Sequence, residues 1–141
     1  MAKLVTPEET QTLMAAGHAY VDVRSEPEFS EGHPAGAVNV PLSQLGPTGL
    51  VPNPEFIAVM ERAFAKDANL IIGCKTGARS RRASAMLEAA GFRNVVDMGA
   101  GFSGSRDAFG RVLPGWAPKG LPVETGAAAG QSYADVKARE R

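Results

Sequence analysis

Short apolar runs alternate with helix-forming segments along most of this chain of 141 residues. Four runs, at 19–23, 36–40, 70–73 and 94–98, are rich in valine, isoleucine and alanine and have the length of strands. The helical segments lie between them, so the alternation predicts an α/β domain built around a mainly parallel sheet. Functional sites in such sheets lie at the carboxyl ends of the strands.

The helices are predicted from their start signals and their spacing. Thr6-Pro7-Glu8-Glu9 combines an N-cap residue, a proline at the first helical position and a capping-box glutamate, which together predict a helix to about Ala16. Apolar residues recur at helical spacing further along the chain. Three more helical segments are therefore expected at 25–32, 54–64 and 80–90.

Two connections and the C-terminal tail lack a clear periodic pattern. Residues 43–54 hold two glycines and three prolines and predict an irregular connection, and a short helix is expected near 105–109. Toward the C-terminus small and charged residues replace the apolar pattern, so we expect a folded domain over 4–123 and a flexible tail over 124–141. A frayed helix over 132–141 that docks on a neighbouring surface is the less favoured alternative to disorder.

The balanced charge argues against two classes of function. Fifteen Lys and Arg residues oppose fifteen Asp and Glu residues, so net attraction to nucleic acid or to a membrane surface is not expected. No apolar run approaches the ~18 residues of a membrane span, and the polar N-terminus is unlike a signal peptide. A single cysteine excludes an internal disulfide and agrees with a cytoplasmic location. Neither histidine belongs to a metal-binding pattern, and no nucleotide fingerprint is present, so no metal and no cofactor are expected.

The single cysteine, Cys74, lies between the predicted strand 70–73 and the predicted helix 80–90. A loop at a helix N-terminus gathers backbone N–H groups and partial positive charge, which stabilise a thiolate and bind an oxyanion. Lys75 and Arg79 flank the sulfur, and the loop contains no acidic residue. These features predict an electropositive mouth for an anionic substrate.

Several alternatives stay open at this point. A lone buried cysteine is most often an inert, small apolar side chain. Arg79 either faces the mouth or braces the loop through an ion pair with a distant acid. Arg81 and Arg82 fall in the first turn of the predicted helix, where cations oppose the helix dipole, and belong either to the mouth or to a solvated face.

Several motifs, in this order along the chain, resemble one protein family. The segment Val21-Asp22-Val23-Arg24, continued by Gly32-His33 and by residues 36–41, is similar to the opening of single-domain rhodaneses. The loop from Cys74 to Ser80 and residues 99–102 are similar to that family's active-site and closing segments. The resemblance implies a central, mainly parallel five-stranded sheet flanked by helices on both faces.

The resemblance also implies an activity and a set of site residues. It implies a sulfurtransferase in which Cys74 carries a persulfide between two half-reactions, taking sulfur from a small anionic donor such as thiosulfate and passing it to cyanide or a thiol. A non-enzymatic persulfide carrier or binding module, loaded by a partner protein, is the alternative. The loop residues implied to hold the transferred sulfur and the donor are Lys75, Thr76, Gly77, Ala78, Arg79 and Ser80.

The length of the loop separates this chain from phosphatases with a similar site. Four residues separate Cys74 from Arg79, whereas protein tyrosine phosphatases and related arsenate reductases have five. A smaller loop favours a single sulfur atom over a phosphoryl group.

Five further residues receive structural interpretations. Ala100 and Ser105 stand where the family usually has glycine and tryptophan, and we expect Trp116 to fold back into the space left at residue 105. An ion pair that joins Arg24 to Asp22 or to Glu28 is expected. His33 follows a glycine in a turn and is interpreted as structural, as a partner of a backbone carbonyl.

Overall fold

The computed structural model describes residues 2–139, which contain eleven strands and five helices. None of these helices is long and apolar enough to span a membrane. The strands are β1 (Lys3–Leu4), β2 (Ala19–Asp22), β3 (His33–Pro34), β4 (Val38–Asn39), β5 (Ser43–Gly46), β6 (Gly49–Pro52), β7 (Asn69–Gly73), β8 (Asn94–Asp97), β9 (Gly104–Arg106), β10 (Val112–Pro114) and β11 (Val123–Glu124). The helices are α1 (Pro7–Ala15), α2 (Glu26–Glu31), α3 (Phe56–Ala63), α4 (Ala78–Ala89) and α5 (Tyr133–Lys137).

Five strands form the central sheet, in the order β1-β8-β7-β2-β4. All four strand pairs are parallel, so the predicted α/β architecture and its five-stranded parallel sheet are confirmed. Asp22 pairs with Gly73, and Ile72 pairs with Asp97. The carboxyl ends of β2, β7 and β8 therefore meet at one edge of the sheet, directly beneath Cys74.

Two apolar clusters lie on opposite faces of the sheet. Side chains alternate between the faces of a strand, so Val21 and Ile72 point to one side while Tyr20 and Ile71 point to the other. The first face packs against α3, α4 and α5 through Phe56, Val59, Met60, Ala83, Leu87, Tyr133 and Val136. The second packs against α1, α2 and a later loop through Leu13, Met14, Phe29 and Trp116.

The first and fourth helices show how local signals determine helix starts. Thr6 and Glu9 form the predicted capping box, with Oγ1 of Thr6 accepting from the Glu9 N–H at 3.0 Å. Helix α4 begins at Ala78, two residues before the predicted start, because Gly77 adopts a left-handed conformation (φ 99°) that serves as its N-cap. Arg81 consequently lies at the end of the first turn.

Two segments form hairpins that the sequence analysis did not predict. Residues 43–54, expected to be irregular, contain the antiparallel pair β5–β6. The helix expected near 105–109 is wrong, because β9 and β10 pair antiparallel there. Gly104 and Gly110 have φ values of 116° and 79°, which a right-handed helix does not allow. Asp107 closes the turn by accepting two N–H bonds, from Phe109 and Arg111, each at 2.9 Å.

Trp116 returns the chain to the core after the β9–β10 hairpin. Its backbone N–H donates to the Gly101 carbonyl at 3.0 Å, its indole N–H donates to the Pro122 carbonyl at 2.7 Å, and it is 2% exposed. Its ring lies 6.4 Å from that of Tyr20. Trp116 does fold back toward the core, as predicted, and it packs against Gly101 and Tyr20. Ser105 lies on β9, so Trp116 does not fill a space left at residue 105.

The C-terminal segment contains a helix that packs on the core. Tyr133 and Val136, on α5, are 8% and 1% exposed. The Asn53 side chain donates to the Tyr133 hydroxyl at 3.0 Å. The side chains of Tyr133 and Val136 both belong to the apolar cluster on the first face of the sheet. The domain limit at residue 123 and the flexibility of the tail stay predictions.

Replacing Val136 tests whether α5 contributes to stability. Val136→Ala removes two buried methyl groups and should lower the free energy of unfolding by about 1–3 kcal/mol. Urea denaturation measures this, and Ala134→Ser on the exposed side of α5 is the matched control. Equal stability of the two variants would mean that the tail is detached in solution.

Candidate active site

Cys74 follows the last residue of β7 and is 1% exposed. The residue before it has to be a glycine, since a Cβ at position 73 would overlap the hydroxyl of the buried Tyr20. The pairing of Asp22 with Gly73 places the end of β2 next to the cysteine. The predicted position of Cys74, at the carboxyl edge of the sheet, agrees with the structure.

Gly77 turns the loop over the sulfur. Its backbone N–H donates to Sγ of Cys74 at 3.1 Å, and it is the one donor within residues 2–139 that reaches this atom. Gly77 is left-handed (φ 99°), and a Cβ on it would lie 2.5 Å from the Gly99 carbonyl oxygen. The same glycine therefore bonds to the sulfur, caps α4 and permits close backbone contact.

Residues 102 and 103, which follow β8, form backbone hydrogen bonds with the cysteine loop. The Phe102 N–H donates to the Cys74 carbonyl at 2.8 Å, and the Ser103 N–H donates to the Lys75 carbonyl at 3.0 Å. In a trans peptide the N–H points opposite to the C=O. The N–H groups of Lys75 and Thr76 are consequently directed away from residues 101–103. Sequence reasoning missed these contacts, although the glycines at 99 and 101 signal a close backbone approach.

Arg79 forms a bidentate ion pair with Glu28. Its two terminal nitrogens lie 2.7 and 3.0 Å from the carboxylate oxygens, and the two side chains are 16% and 27% exposed. The loop itself holds no acid, but α2 brings a glutamate from 51 positions away in the sequence to Arg79. Arg79 braces the loop against α2, as the alternative interpretation held.

Glu28 is held as a carboxylate by several donors. Burial raises the pKa of Glu28, but hydrogen bonds from Arg79 and Ser25 outweigh burial and lower it to about 2, from an ordinary value of 4.5. The Ser25 hydroxyl and N–H donate to Oε1 at 2.8 and 3.1 Å. Glu28 was not among the predicted site residues, since its capping-box position on α2 accounts for it locally.

Arg24 makes structural contacts beside the cysteine loop. It pairs with Asp22, with its NH2 nitrogen 2.7 Å from Oδ2, and it also donates to the Gly32 carbonyl at 2.6 Å. Its guanidinium lies 4.5 Å from the centre of the Phe102 ring. Burial lowers the pKa of Arg24, but the hydrogen bond to Asp22 and the charges of Asp22, Tyr20 and Glu28 together outweigh burial and raise it, so Arg24 stays a cation. The predicted ion pair is thus the one with Asp22.

Lys75 is the exposed cation at the loop. A cavity of about 290 Å³ lies beside it, with Arg24 and Phe102 in its wall and two glutamates, Glu28 and Glu31, among its other lining residues. Lys75 makes no ion pair with residues 2–139. The mouth is therefore of mixed charge, and Lys75 is its exposed positive group.

The remaining predicted site residues lie around the loop rim and at the helix start. Thr76 and Ala78 are exposed, and Ser80 is fully buried. The Ser80 hydroxyl donates to the Gly77 carbonyl at 3.3 Å, which helps to fix the first turn of α4. His33 is structural, as expected, with Nδ1 2.8 Å from the Phe29 carbonyl oxygen.

The fold and the site together are those of a small α/β protein whose one cysteine lies under a loop that leads into a helix. The chain belongs to the rhodanese-like domain family, whose model matches residues 6–108. Relatives in this family carry sulfurtransferase names.

Two curated relatives and one solved structure illustrate the similarity. "Thiosulfate sulfurtransferase 16, chloroplastic" from Arabidopsis thaliana is 40% identical over 112 residues, which cover 79% of this chain and 84% of that protein. Thiosulfate sulfurtransferase GlpE from Haemophilus influenzae is 28% identical over 123 residues, covering 87% and 95%. The crystal structure of Rv0390 from M. tuberculosis superposes with a TM-score of 0.71 at 28% identity, covering 89% of this chain and 98% of that one.

The Arg79–Glu28 pair should make stability depend on pH. Because the pKa of Glu28 is depressed in the folded state, its carboxylate stabilises the fold fully above about 4.5, and this stabilisation is lost as pH falls through about 2. Glu28→Gln should therefore be less stable than wild type at neutral pH, with the difference narrowing below 4.5.

Urea denaturation at a series of pH values measures this difference. Glu31→Gln is the matched control, since Glu31 lines the same cavity but forms no ion pair with the described residues. If the loss of unfolding free energy caused by Glu28→Gln stays the same as pH falls from 4.5 to about 2, the ion-pair explanation is contradicted.

Proposed function

We propose that this protein is a sulfurtransferase enzyme that carries a sulfane sulfur on Cys74. The observation that supports this most directly is the hydrogen bond of 3.1 Å from the Gly77 N–H to Sγ. It lies at the N-terminus of the 12-residue helix α4, where N–H groups and the helix dipole favour a negative charge. Membership of a family with named thiosulfate sulfurtransferases supports the substrate class.

The first half-reaction is a displacement at sulfur. The Cys74 thiolate attacks the outer sulfur of thiosulfate, a new S–S bond forms, and sulfite leaves with the electron pair of the broken S–S bond. The persulfide carries one negative charge, which the Gly77 N–H and the other loop N–H groups from Lys75 to Ser80 would stabilise.

The second half-reaction restores the cysteine. Cyanide or a thiolate attacks the outer sulfur of the persulfide, and the electron pair of the S–S bond returns to Cys74. Cys74 is the only cysteine in the chain, so an external acceptor has to complete the cycle. The expected cytoplasmic location stays a prediction, and the Arabidopsis relative carries a chloroplastic location in its name.

A persulfide carrier without turnover is the second candidate. The 1% exposure of Cys74 supports it, since a buried sulfur discharges slowly unless a partner opens the loop. Continuous thiocyanate formation from thiosulfate and cyanide distinguishes the enzyme from the carrier, which would load once and then stop.

Cys74→Ser should abolish sulfur loading and turnover while leaving the fold intact, because the change is nearly isosteric. Intact mass after incubation with thiosulfate should show one added sulfur atom in wild type and none in the variant. Far-ultraviolet circular dichroism checks the fold. Turnover near the wild-type rate in Cys74→Ser would overturn the mechanism.

Lys75 and Arg79 should respond differently to replacement. Lys75→Ala should lower kcat/KM for thiosulfate up to about fivefold, the range for an exposed charge pair, and should leave unfolding unchanged. Arg79→Ala should lower both the rate and the free energy of unfolding, the latter by about 1–3 kcal/mol, because Glu28 loses its buried partner.

The matched control for charge is Arg82→Ala, an exposed arginine further along α4. Its smaller effect on thiosulfate kinetics should shrink as salt is raised. If Lys75→Ala and Arg82→Ala lower kcat/KM equally, Lys75 has no specific role in donor binding.

A further inference from the structure

The β9–β10 hairpin exposes several apolar side chains to solvent. Phe109 is 87% exposed, more than any other large apolar side chain among residues 2–139. Val112 and Leu113 follow it and are 62% and 39% exposed. Single exposed apolar residues are ordinary, but three within five residues indicate an interaction surface.

Hydrogen bonds define the turn that carries the Phe109 ring. The Gly110 N–H donates to the Asp107 carbonyl at 3.0 Å, and the N–H groups of Phe109 and Arg111 each donate to Oδ1 of Asp107 at 2.9 Å. We call residues 107–111 the hairpin tip. The bonded turn directs the ring away from the domain.

An apolar pocket lies at the other end of the same hairpin. Its volume is about 220 Å³, and its apolar lining consists of Leu4, Val5, Pro7, Ala100, Leu113 and Pro114. An apolar cavity of about 150 Å³ is large enough to hold benzene. The pocket therefore has room for a phenyl ring, which would also cover part of the exposed Leu4 and Leu113 side chains.

The ring and the pocket of one copy are kept apart by the hairpin itself. Phe109 is not part of the pocket lining, and Pro114 pairs with Gly104 at the hairpin base, five residues beyond the ring. When two such hairpins lie side by side in opposite directions, each tip meets the base of the other. A two-fold axis between them forms both contacts at once.

The hairpin tip and its neighbour Arg106 carry net positive charge. Two exposed arginines, Arg106 and Arg111, accompany a single acid, Asp107, so this end of the hairpin has a net charge of about +1. The Asp107 carboxylate accepts N–H bonds within the turn. The arginine side chains thus remain beside the ring as cations.

The rim of the apolar pocket carries the opposite charge. Glu8 pairs with Lys119, which lines the pocket, at 2.6 Å. Glu9 accepts the N–H of Thr6, another lining residue, at 2.9 Å. Lys3 precedes Leu4 on β1, so its side chain points to the opposite face of the sheet. Two acids and one cation leave the rim with a net charge of about −1, which complements the hairpin tip of a second copy.

We propose that two copies of this chain pair through their β9–β10 hairpins, with Phe109 of each copy in the apolar pocket of the other. The inference is independent of sulfur transfer, because it concerns a surface that does not include Cys74. One ring and a short ribbon from each copy make a small interface. The dimer should therefore be weak, with a Kd of about 10 µM to 1 mM.

Sedimentation equilibrium from about 5 µM to about 1 mM measures this association. Wild type should shift from monomer toward dimer across the range. Phe109→Ser should raise the Kd about 100-fold, because the symmetric interface loses two rings, each worth at least about tenfold. Leu50→Ser is the matched control: Leu50 is 50% exposed on the β5–β6 hairpin, which carries no charged residue. Its Kd should equal that of wild type.

Charge reversal tests the rim contact separately. Arg111→Glu should raise the Kd up to about fivefold for each of the two contacts, and this effect should shrink as salt is raised. Arg93→Glu is the matched control, since this exposed arginine lies at the opposite end of β8 from the pocket.

Photocrosslinking locates the ring directly. Phe109 is replaced by p-benzoylphenylalanine, and ¹⁵N-labelled and unlabelled copies are mixed and irradiated. Peptides that join the two isotopic forms should contain residues 4–7, 99–100 or 113–114, because these residues line the pocket.

Four outcomes would overturn the proposal. They are a monomer up to about 1 mM, equal effects of Phe109→Ser and Leu50→Ser, crosslinks between copies only outside the pocket, and species larger than a dimer that grow with concentration. The last would indicate a head-to-tail contact in place of the two-fold pair. Turnover of thiosulfate is measured separately, so failure of the dimer leaves the sulfurtransferase proposal unaffected.

Discussion

Close backbone contact between the cysteine loop and residues 99–103 determines the geometry of the site. Two N–H groups, of Phe102 and Ser103, bond to the carbonyls of Cys74 and Lys75. A side chain at Gly77 would press on the Gly99 carbonyl at 2.5 Å, and one at Gly101 would overlap the Lys75 carbonyl. Because both strands that lead here, β7 and β8, are paired in parallel, the approach is fixed by the sheet itself.

Two ion pairs hold the surroundings of the loop in place. Arg24 joins Asp22 to the end of α2, and Arg79 joins the loop to Glu28 on α2. Both arginines are largely withdrawn from solvent, so their charge is balanced by carboxylates that the fold supplies. The exposed cation of the loop is Lys75. Positive charge in the sequence is therefore a poor guide to positive charge at the mouth.

The β9–β10 hairpin lies outside the apolar core, because none of its residues belongs to the two clusters on the faces of the sheet. Trp116 bonds to Gly101 at the base of the hairpin and returns the chain to the core. Specificity is commonly built on such surface elements, while the scaffold beneath holds the reacting group.

The sequence alone determined the features that depend on neighbouring residues. Alternating apolar runs indicated the parallel α/β sheet, the Thr6–Glu9 pattern located the start of α1, and a lone cysteine between a predicted strand and a predicted helix indicated where a site would lie. Only the tertiary structure decided the partner of Arg79, the β9–β10 hairpin and the burial of Tyr133 and Val136 on α5. These depend on segments far apart in the chain being brought together by the sheet, and local patterns carry no information about which distant side chain fills a given space.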